Sequence, residues 1–316
     1  MKKVLITGFN GFVGRHACKE FRSRGYEIHG VSYGEIKPES RELVDQISVC
    51  DLSDPESVAK LDIDPRVDAV LNLAGFATNT GGDAELIHRI NVGVHVNMCK
   101  RLGSLGLKPV YIGVSSSTVY RADQDLPLTE ESALKDPLDA RPYESSKIRA
   151  EDSLAQFADA KILIARPFNH IGACQGPGFL IPDLAAQALE ALRTGTPMLV
   201  GNLKSRRDYT SVQDVVRAYA DLVEMQTIKS GDVFNICSGR SISGEEMLSM
   251  LLVAMGIDKQ LEVQVDPSKL RGASDVDDNY GSYKKLHDAT GWSPSEDGIN
   301  TALQQFADDF LVRSAA

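Results

Sequence analysis

Short apolar runs alternate with amphipathic segments through the first half of the chain. Residues 4–6 are aliphatic without interruption, as suits a strand buried on both faces of a parallel sheet. That run ends in Thr7 and a glycine-spaced turn. Beyond Gly14, apolar positions at Ala17, Cys18 and Phe21 recur at helical spacing, Gly25 closes the segment, and a second strand-like run occupies residues 27–32. Strand, helix, strand at this spacing predicts a βαβ unit. Apolar runs at 47–50, 69–73 and 110–114, with a helix near 84–102, continue the alternation. The pattern predicts an α/β protein built on a Rossmann-type, doubly wound parallel sheet.

In the middle of the chain Pro142 stands where a helix can open, since the amide hydrogen it lacks would have no partner there. This helix is expected to run towards residue 157, with a strand at 162–165 behind it. The stretch IGACQGPGFLIP then reads as a loop leaving the first domain. Residues 232–238 are again strand-like, so the chain is expected to return to the sheet. Residues 1–168, rejoined by 209–240, would form a dinucleotide-binding domain. Residues 169–208 and 241–316 would form a smaller, discontinuous substrate domain.

The candidate chemistry begins at TGFNGFVG, which sets Gly8, Gly11 and Gly14 three apart between a strand and a helix. Glycines there permit a tight turn and close approach of backbone to a pyrophosphate facing the helix N-terminus. Asn10, Phe12 and Val13 fill the same turn and are expected cofactor contacts. A carboxylate at the end of the second strand would bond a ribose 2′-hydroxyl, and an arginine would suit a 2′-phosphate. The strand ends instead in Ser32 and Tyr33, with Glu35 the nearest acid. Without an acid on the strand end to repel a 2′-phosphate, NADP(H) is favoured, and Glu35 keeps NAD(H) open. Asp51, followed by Leu52, either bonds the adenine edge or belongs to a helix cap with Ser53 and Asp54.

Tyr143 and Lys147 lie four residues apart on the middle helix, so their side chains project from one face. They follow a serine-rich strand end, VSSSTVY at 114–120. An adjacent ammonium stabilises a phenolate and is expected to lower the tyrosine pKa, which makes the pair suitable for proton transfer.

TGFNGFVG, NLAG at 72–75, VSSSTVY and YESSK at 143–147, in this order, resemble the extended short-chain dehydrogenase/reductase family over essentially the whole chain. The resemblance implies that Leu73, Ala74 and Gly75 border the cofactor, and that Tyr143 and Lys147 also touch it. It further implies that Ser116 hydrogen-bonds the reacting oxygen, with Ser115 and Ser117 as neighbouring alternatives. Members that eliminate water carry a Glu two residues before the closing tyrosine of the strand-end motif. Here Thr118 follows Ser117, and neither hydroxyl is a competent base unaided, which disfavours a 4,6-dehydratase. RPFNHIG at 166–172, GNLKSRRDYTSVQDVVRAY, VFNICSG, DPSKLR and TGWSP resemble the branch that reduces GDP-4-keto-6-deoxy-D-mannose to GDP-D-rhamnose. On that resemblance Asn169, Arg207 and Arg271 would hold the nucleotide sugar, chiefly its diphosphate. Arg206 with Arg207 as a solvated pair, and Arg271 in a surface ion pair, are the plainer readings. Relatives are commonly homodimers through two helices, one of them the Tyr143 helix. This chain departs from the pattern at Arg121, where glycine is usual, and at Cys174, where relatives show a proline and glycine pair. A 4-epimerase with retained NAD is the alternative within the family. A nucleotide-sensing regulator is the alternative outside it, and the intact set of Ser116, Tyr143 and Lys147 stands against it.

Composition narrows the partners. With 34 Lys and Arg against 44 Asp and Glu, the net charge of -10 opposes binding to nucleic acid or to an anionic membrane. No run approaches the roughly 20 apolar residues of a membrane span. The five cysteines lie far apart without CxxC spacing, and His170 has no companion at ligand spacing, so no metal is expected. Unpaired thiols and the lack of a secretory apolar segment point to the cytoplasm.

Overall fold

A computed structural model describes residues 1–77, 83–157, 159–270 and 276–315. The first half alternates strictly. It runs β1 (Lys2–Thr7), α1 (Phe12–Ser23), β2 (Tyr26–Ser32), α2 (Pro38–Arg41), β3 (Gln46–Val49) and α3 (Pro55–Ala59). β4 (Ala69–Asn72), α4 (Ala84–Ser104), β5 (Val110–Val114), α5 (Pro142–Leu154) and β6 (Lys161–Pro167) follow. Next come β7 (Asn169–Ile171), α6 (Leu180–Thr194), β8 (Met198–Val200), β9 (Arg206–Ser211), α7 (Val212–Val223) and β10 (Asp232–Ile236). The chain closes with β11 (Ser241–Ser243), α8 (Gly244–Ala254), β12 (Val263–Val265), β13 (Asp278–Asn279), α9 (Lys284–Thr290) and α10 (Gly298–Ala315).

The central sheet has the order β10-β6-β5-β4-β1-β2-β3, and every pairing in it is parallel. This is the Rossmann order with one strand added beyond β6. Its strands are apolar because helices cover both faces. On one side Ala17 and Phe21 of α1 pack with Val215, Val216 and Tyr219 of α7 and with Trp292. On the other, Val58 of α3 and Val94, Met98 and Leu102 of α4 meet Leu154 of α5. Strand order reverses between β1 and β4, so the carboxyl ends of these neighbours, at Thr7 and Asn72, border the crevice where such sheets take ligands.

A second core lies under α6, α8 and α10, where Leu184, Ala188, Met247, Leu251, Leu303 and Phe306 are buried together. It backs a small sheet of β11, β9 and β13, to which β7 adds along β9. IGACQGPGFLIP is only partly a loop: α6 already begins at Leu180, with Ile181, Leu184, Ala185 and Ala188 forming its buried stripe. Pro182 sits within the first turn, where proline is tolerated. Among the described residues no helix is long and apolar enough to cross a membrane.

Candidate active site

The glycine turn is shaped by backbone contact. A Cβ on Gly14 would lie 2.2 Å from the Gly8 carbonyl oxygen and 2.6 Å from the Phe9 Cα, so only glycine lets the helix start this close to the strand. Gly8 itself has φ +65° and packs on the Leu73–Ala74 backbone, bringing two of the expected cofactor segments into contact. Gly11 caps α1 without a side-chain hydrogen bond, and the first turn of that helix carries no acid. By contrast Asp83 caps α4 and Ser243 caps α8. The amino end of α1, with Phe12 and Val13, thus fits a pyrophosphate in charge and in space.

At the end of β2, where the ribose is expected, Ser32 is buried and donates to Asn10 Oδ1 at 2.8 Å. Asn10 Nδ2 also reaches the Glu35 carbonyl, 3.5 Å away. Asp51 is occupied locally, accepting from the Ser53 amide at 2.9 Å and the Ser53 hydroxyl at 2.8 Å, whereas Asp54 caps α3. Leu52 is buried in the core and its carbonyl accepts from Asn97 at 3.0 Å.

The second segment is held from within the sheet. Thr7 Oγ1 accepts from the Leu73 and Ala74 amides, both at 3.0 Å, and donates to Asn72 Oδ1. Asn72 in turn donates to the Tyr111 hydroxyl at 2.6 Å and reaches His95 Nδ1 at 3.0 Å. Gly75, at φ +149°, allows the Phe76 amide to donate 2.8 Å to Asn91 Oδ1.

Three serines at the end of β5 separate by direction. Ser115 donates to Glu151, whereas the Ser116 hydroxyl acts on the Tyr143 phenol, opposing the rise of its pKa. Ser116 also accepts from Thr118 Oγ1 at 3.0 Å and from the Thr118 amide at 3.2 Å. Thr118 therefore serves the serine, where a dehydratase would need a base. Lys147 is buried and donates to the Val114 carbonyl at 2.9 Å, with its ammonium 5.8 Å from the Tyr143 ring centre. The phenol is raised, where the Tyr143–Lys147 spacing led to the expectation that it is lowered. Burial pushes Tyr143 up to about 12, with the Ser116 hydrogen bond acting against the rise. Burial likewise takes Lys147 down to about 8, opposed by the negative charge of Glu151.

Asn169 and Arg207 share the small sheet, since Asn169 pairs with Tyr209 in the strand that carries Arg207. Asn169 is exposed and Nδ2 lies 3.4 Å from the Asp208 carbonyl. Arg207 donates to the Arg206 carbonyl at 2.8 Å and the Val276 carbonyl at 2.5 Å. Arg206 is not its solvated twin: it pairs with Glu246 at 2.9 Å. Arg271 lies outside the described residues. Arg121 pairs with the exposed Asp123, and Cys174 stands at φ 68°, a backbone position that favours glycine. Among the described residues no group of three or more His, Cys, Asp or Glu could hold a metal ion.

Two residues escaped the sequence reading. Asn91 of α4 donates to Ser146 Oγ at 2.9 Å, and Ser146 donates to the Tyr143 carbonyl at 2.7 Å, so Asn91 ties the Phe76 loop to the tyrosine turn. Its signal was available: Asn91 and His95 are polar residues four apart on the buried stripe of α4. Glu151, buried four residues beyond Lys147, is the second.

Comparison with known proteins agrees with this geometry. Residues 4–237 match the model of the NAD dependent epimerase/dehydratase family. The chain is 30% identical to the GDP-6-deoxy-D-mannose reductase of Pseudomonas aeruginosa, over 99% of this chain and 98% of that one. The structure of RMD from Pseudomonas aeruginosa complexed with NADPH superposes with a TM-score of 0.81 at 28% identity, covering 99% of this chain and 100% of that one. UDP-glucose-4-epimerase from Stenotrophomonas maltophila, with bound NAD and formylated UDP-arabinopyranose, shares the fold at TM-score 0.87 and 21% identity, covering 100% of both chains. With the glycine turn, the Ser116–Tyr143–Lys147 cluster and full-length similarity in agreement, the chain belongs to the NAD-dependent epimerase/dehydratase family of enzymes.

Proposed function

We propose that this protein reduces the C4 keto group of a nucleotide-linked 4-keto-6-deoxy sugar with NAD(P)H, converting GDP-4-keto-6-deoxy-D-mannose to GDP-D-rhamnose. The observation that carries this reading is the buried Tyr143 phenol, which has the Lys147 ammonium 5.8 Å from its ring centre and keeps its proton at neutral pH, as the acid of a reduction must. The full-length similarity to a GDP-6-deoxy-D-mannose reductase supports the choice of sugar and base. Residues 1–168 with 209–240 would take the dinucleotide, and residues 169–208 with 241–316 the sugar nucleotide.

The bound nicotinamide would supply the hydride to C4. Ser116 donates a hydrogen bond to the ketone oxygen and polarises it. Tyr143 delivers its phenolic proton to that oxygen as the alcohol forms. Lys147, as an ammonium, stabilises the resulting phenolate and holds the nicotinamide ribose. Gly8, Gly11 and Gly14 with the amino end of α1 receive the pyrophosphate. Ser32 and Asn10 meet the adenosine ribose, where the absence of a carboxylate at the strand end favours NADP(H) over NAD(H). Asn169, Arg207 and Arg271 hold the sugar diphosphate. We further propose a cytoplasmic homodimer formed through two helices of each subunit, one of them α5.

The test is loss of nicotinamide absorbance when the protein and NADPH or NADH meet freshly generated GDP-4-keto-6-deoxy-D-mannose, with the dTDP-glucose-derived keto sugar in parallel. Stoichiometric oxidation with the GDP sugar is the expected result. No oxidation with either, together with NAD retained through purification, would replace the reductase by a 4-epimerase.

A further inference from the structure

Beneath the Tyr143–Lys147 pair lies a buried charge cluster to which none of the roles above assigns a part. Glu151 follows Tyr143 and Lys147 at the same four-residue interval, so the three side chains share one face of α5. Arg166 of β6 clamps its carboxylate from two directions, Nε to Oε1 at 3.0 Å and Nη2 to Oε2 at 2.6 Å. Both side chains are less than a tenth exposed. Ser115 donates the third hydrogen bond. Arg166 reaches on to the Tyr120 hydroxyl at 2.9 Å, and Tyr120 donates to Asn235 of β10 at 2.7 Å.

A buried pair of this kind is weak support for stability, because desolvating two charges costs about as much as their attraction returns. Its placement suggests another use. Ser115 lies between the Val114 carbonyl, to which Lys147 donates, and Ser116, which opposes the rise of the Tyr143 phenol. We propose that Glu151, fixed by Arg166, is a positioning residue: its charge keeps Lys147 an ammonium, and its bond to Ser115 sets the strand end that carries Ser116.

The other groups facing Lys147 cannot supply that charge. Tyr143 on the same helix is a neutral phenol. His95 of α4 is buried and pushed down to about 3, so it faces Lys147 as a neutral ring. Tyr111 of β5, bonded to His95 at 2.9 Å, is held neutral by burial. Arg166, the ion-pair partner of Glu151, is positive and cannot supply it either. Among the described residues Glu151 is also the group whose attraction opposes the downward pull of burial on Lys147.

This inference rests on the proposed role of Lys147, and its test can be read without turnover. The ε-methylene resonances of 13C-lysine-labelled protein, with Lys147 assigned by their loss in Lys147→Met, follow its titration directly. Lys147 is expected to titrate near pH 8 in the wild type. In Glu151→Gln the midpoint should fall by about one pH unit or more. The alkaline limb of kcat/KM should move with it, and Glu151→Asp should restore part of the shift. If Glu151→Gln fails to fold, Glu151→Gln with Arg166→Gln also removes the guanidinium that the first change leaves unpaired, and should shift Lys147 in the same direction by less. A Lys147 midpoint unchanged in either folded variant overturns the proposal, whatever the stability of the variant. A shifted midpoint in a protein inert towards every keto sugar would uphold the electrostatic coupling and sink the reductase reading instead.

Discussion

Lys147, one helical turn beyond Tyr143 on α5, places its ammonium 5.8 Å from the centre of the Tyr143 ring. If this phenol is the proton donor, Tyr143→Phe should lower kcat by about 10²- to 10⁴-fold, the usual range for removal of a general acid. Cofactor affinity should change little, since the ring stays in place. Stopped-flow turnover and fluorescence titration with NADPH separate the two effects. A variant with wild-type turnover would remove Tyr143 from the chemistry.

Lys147 should burden the fold it serves. Its folded pKa of about 8 lies below the ordinary 10.5, so burying the charged form costs stability at every pH below about 8. As pH rises from about 8 to 10.5 the unfolded chain holds the extra proton, and the penalty disappears. Lys147→Met should therefore be inactive yet melt higher than wild type at pH 7, with the gap narrowing towards pH 10. Thermal melts at the two pH values check the sign. A gap that widens with pH would refute it.

The glycine turn offers a contrast between two similar substitutions. Gly14→Ala forces a Cβ to within 2.2 Å of backbone that cannot yield, and should cost about 3 kcal/mol or more. Gly11→Ala meets the Gly8 carbonyl oxygen at 3.2 Å and nothing else nearby, so the protein should fold. Its methyl group would nonetheless stand where a pyrophosphate approaches. Calorimetric melting and NADPH titration should show lost stability in the first variant and lost affinity in the second.

Ser32→Asp places a carboxylate at the end of β2. If the 2′-phosphate of NADPH is accepted beside Ser32 and Asn10, this change should reduce kcat/KM for NADPH at least about tenfold, because like charges brought together cost several kcal/mol. The value for NADH should hold or rise. Equal losses with both coenzymes would mean that Ser32 does not read the 2′ position.

The parallel sheet and the glycine turn were legible in the sequence because each is written locally. Apolar runs of strand length mark β1, β4, β5 and β6, and three spaced glycines mark a turn that backbone contact alone demands. Tyr143 and Lys147 were legible through a four-residue interval on a helix with a dated start at Pro142. What stayed hidden depends on long-range partners. Glu151 reads as an ordinary helical acid until Arg166 arrives from the next strand. Which of three adjacent serines meets Tyr143 depends on how the chain twists past Val114, and no pattern of residue types encodes that. The start of α6 was obscured by the glycines and prolines before it, although Ile181, Leu184, Ala185 and Ala188 carry its periodicity. The pKa of Tyr143 was misjudged for a related reason: proximity to Lys147 can be read from spacing, but burial cannot.

The first turns of α1 touch more than the glycine loop. Phe12 stacks on His170 with ring centres 5.8 Å apart, and Arg15 Nη1 lies 3.8 Å from the Cys174 sulfur. His16 Nε2 sits 2.9 Å from the Ala173 carbonyl. Cys174 in turn donates its amide to Asp309 of α10 at 2.8 Å. The helix whose amino end faces the glycine turn thus serves as a bearing for the loop that leads to the second core. Any sub-ångström settling of that helix is felt at residues 170–174 through direct side-chain contact, without passing through solvent.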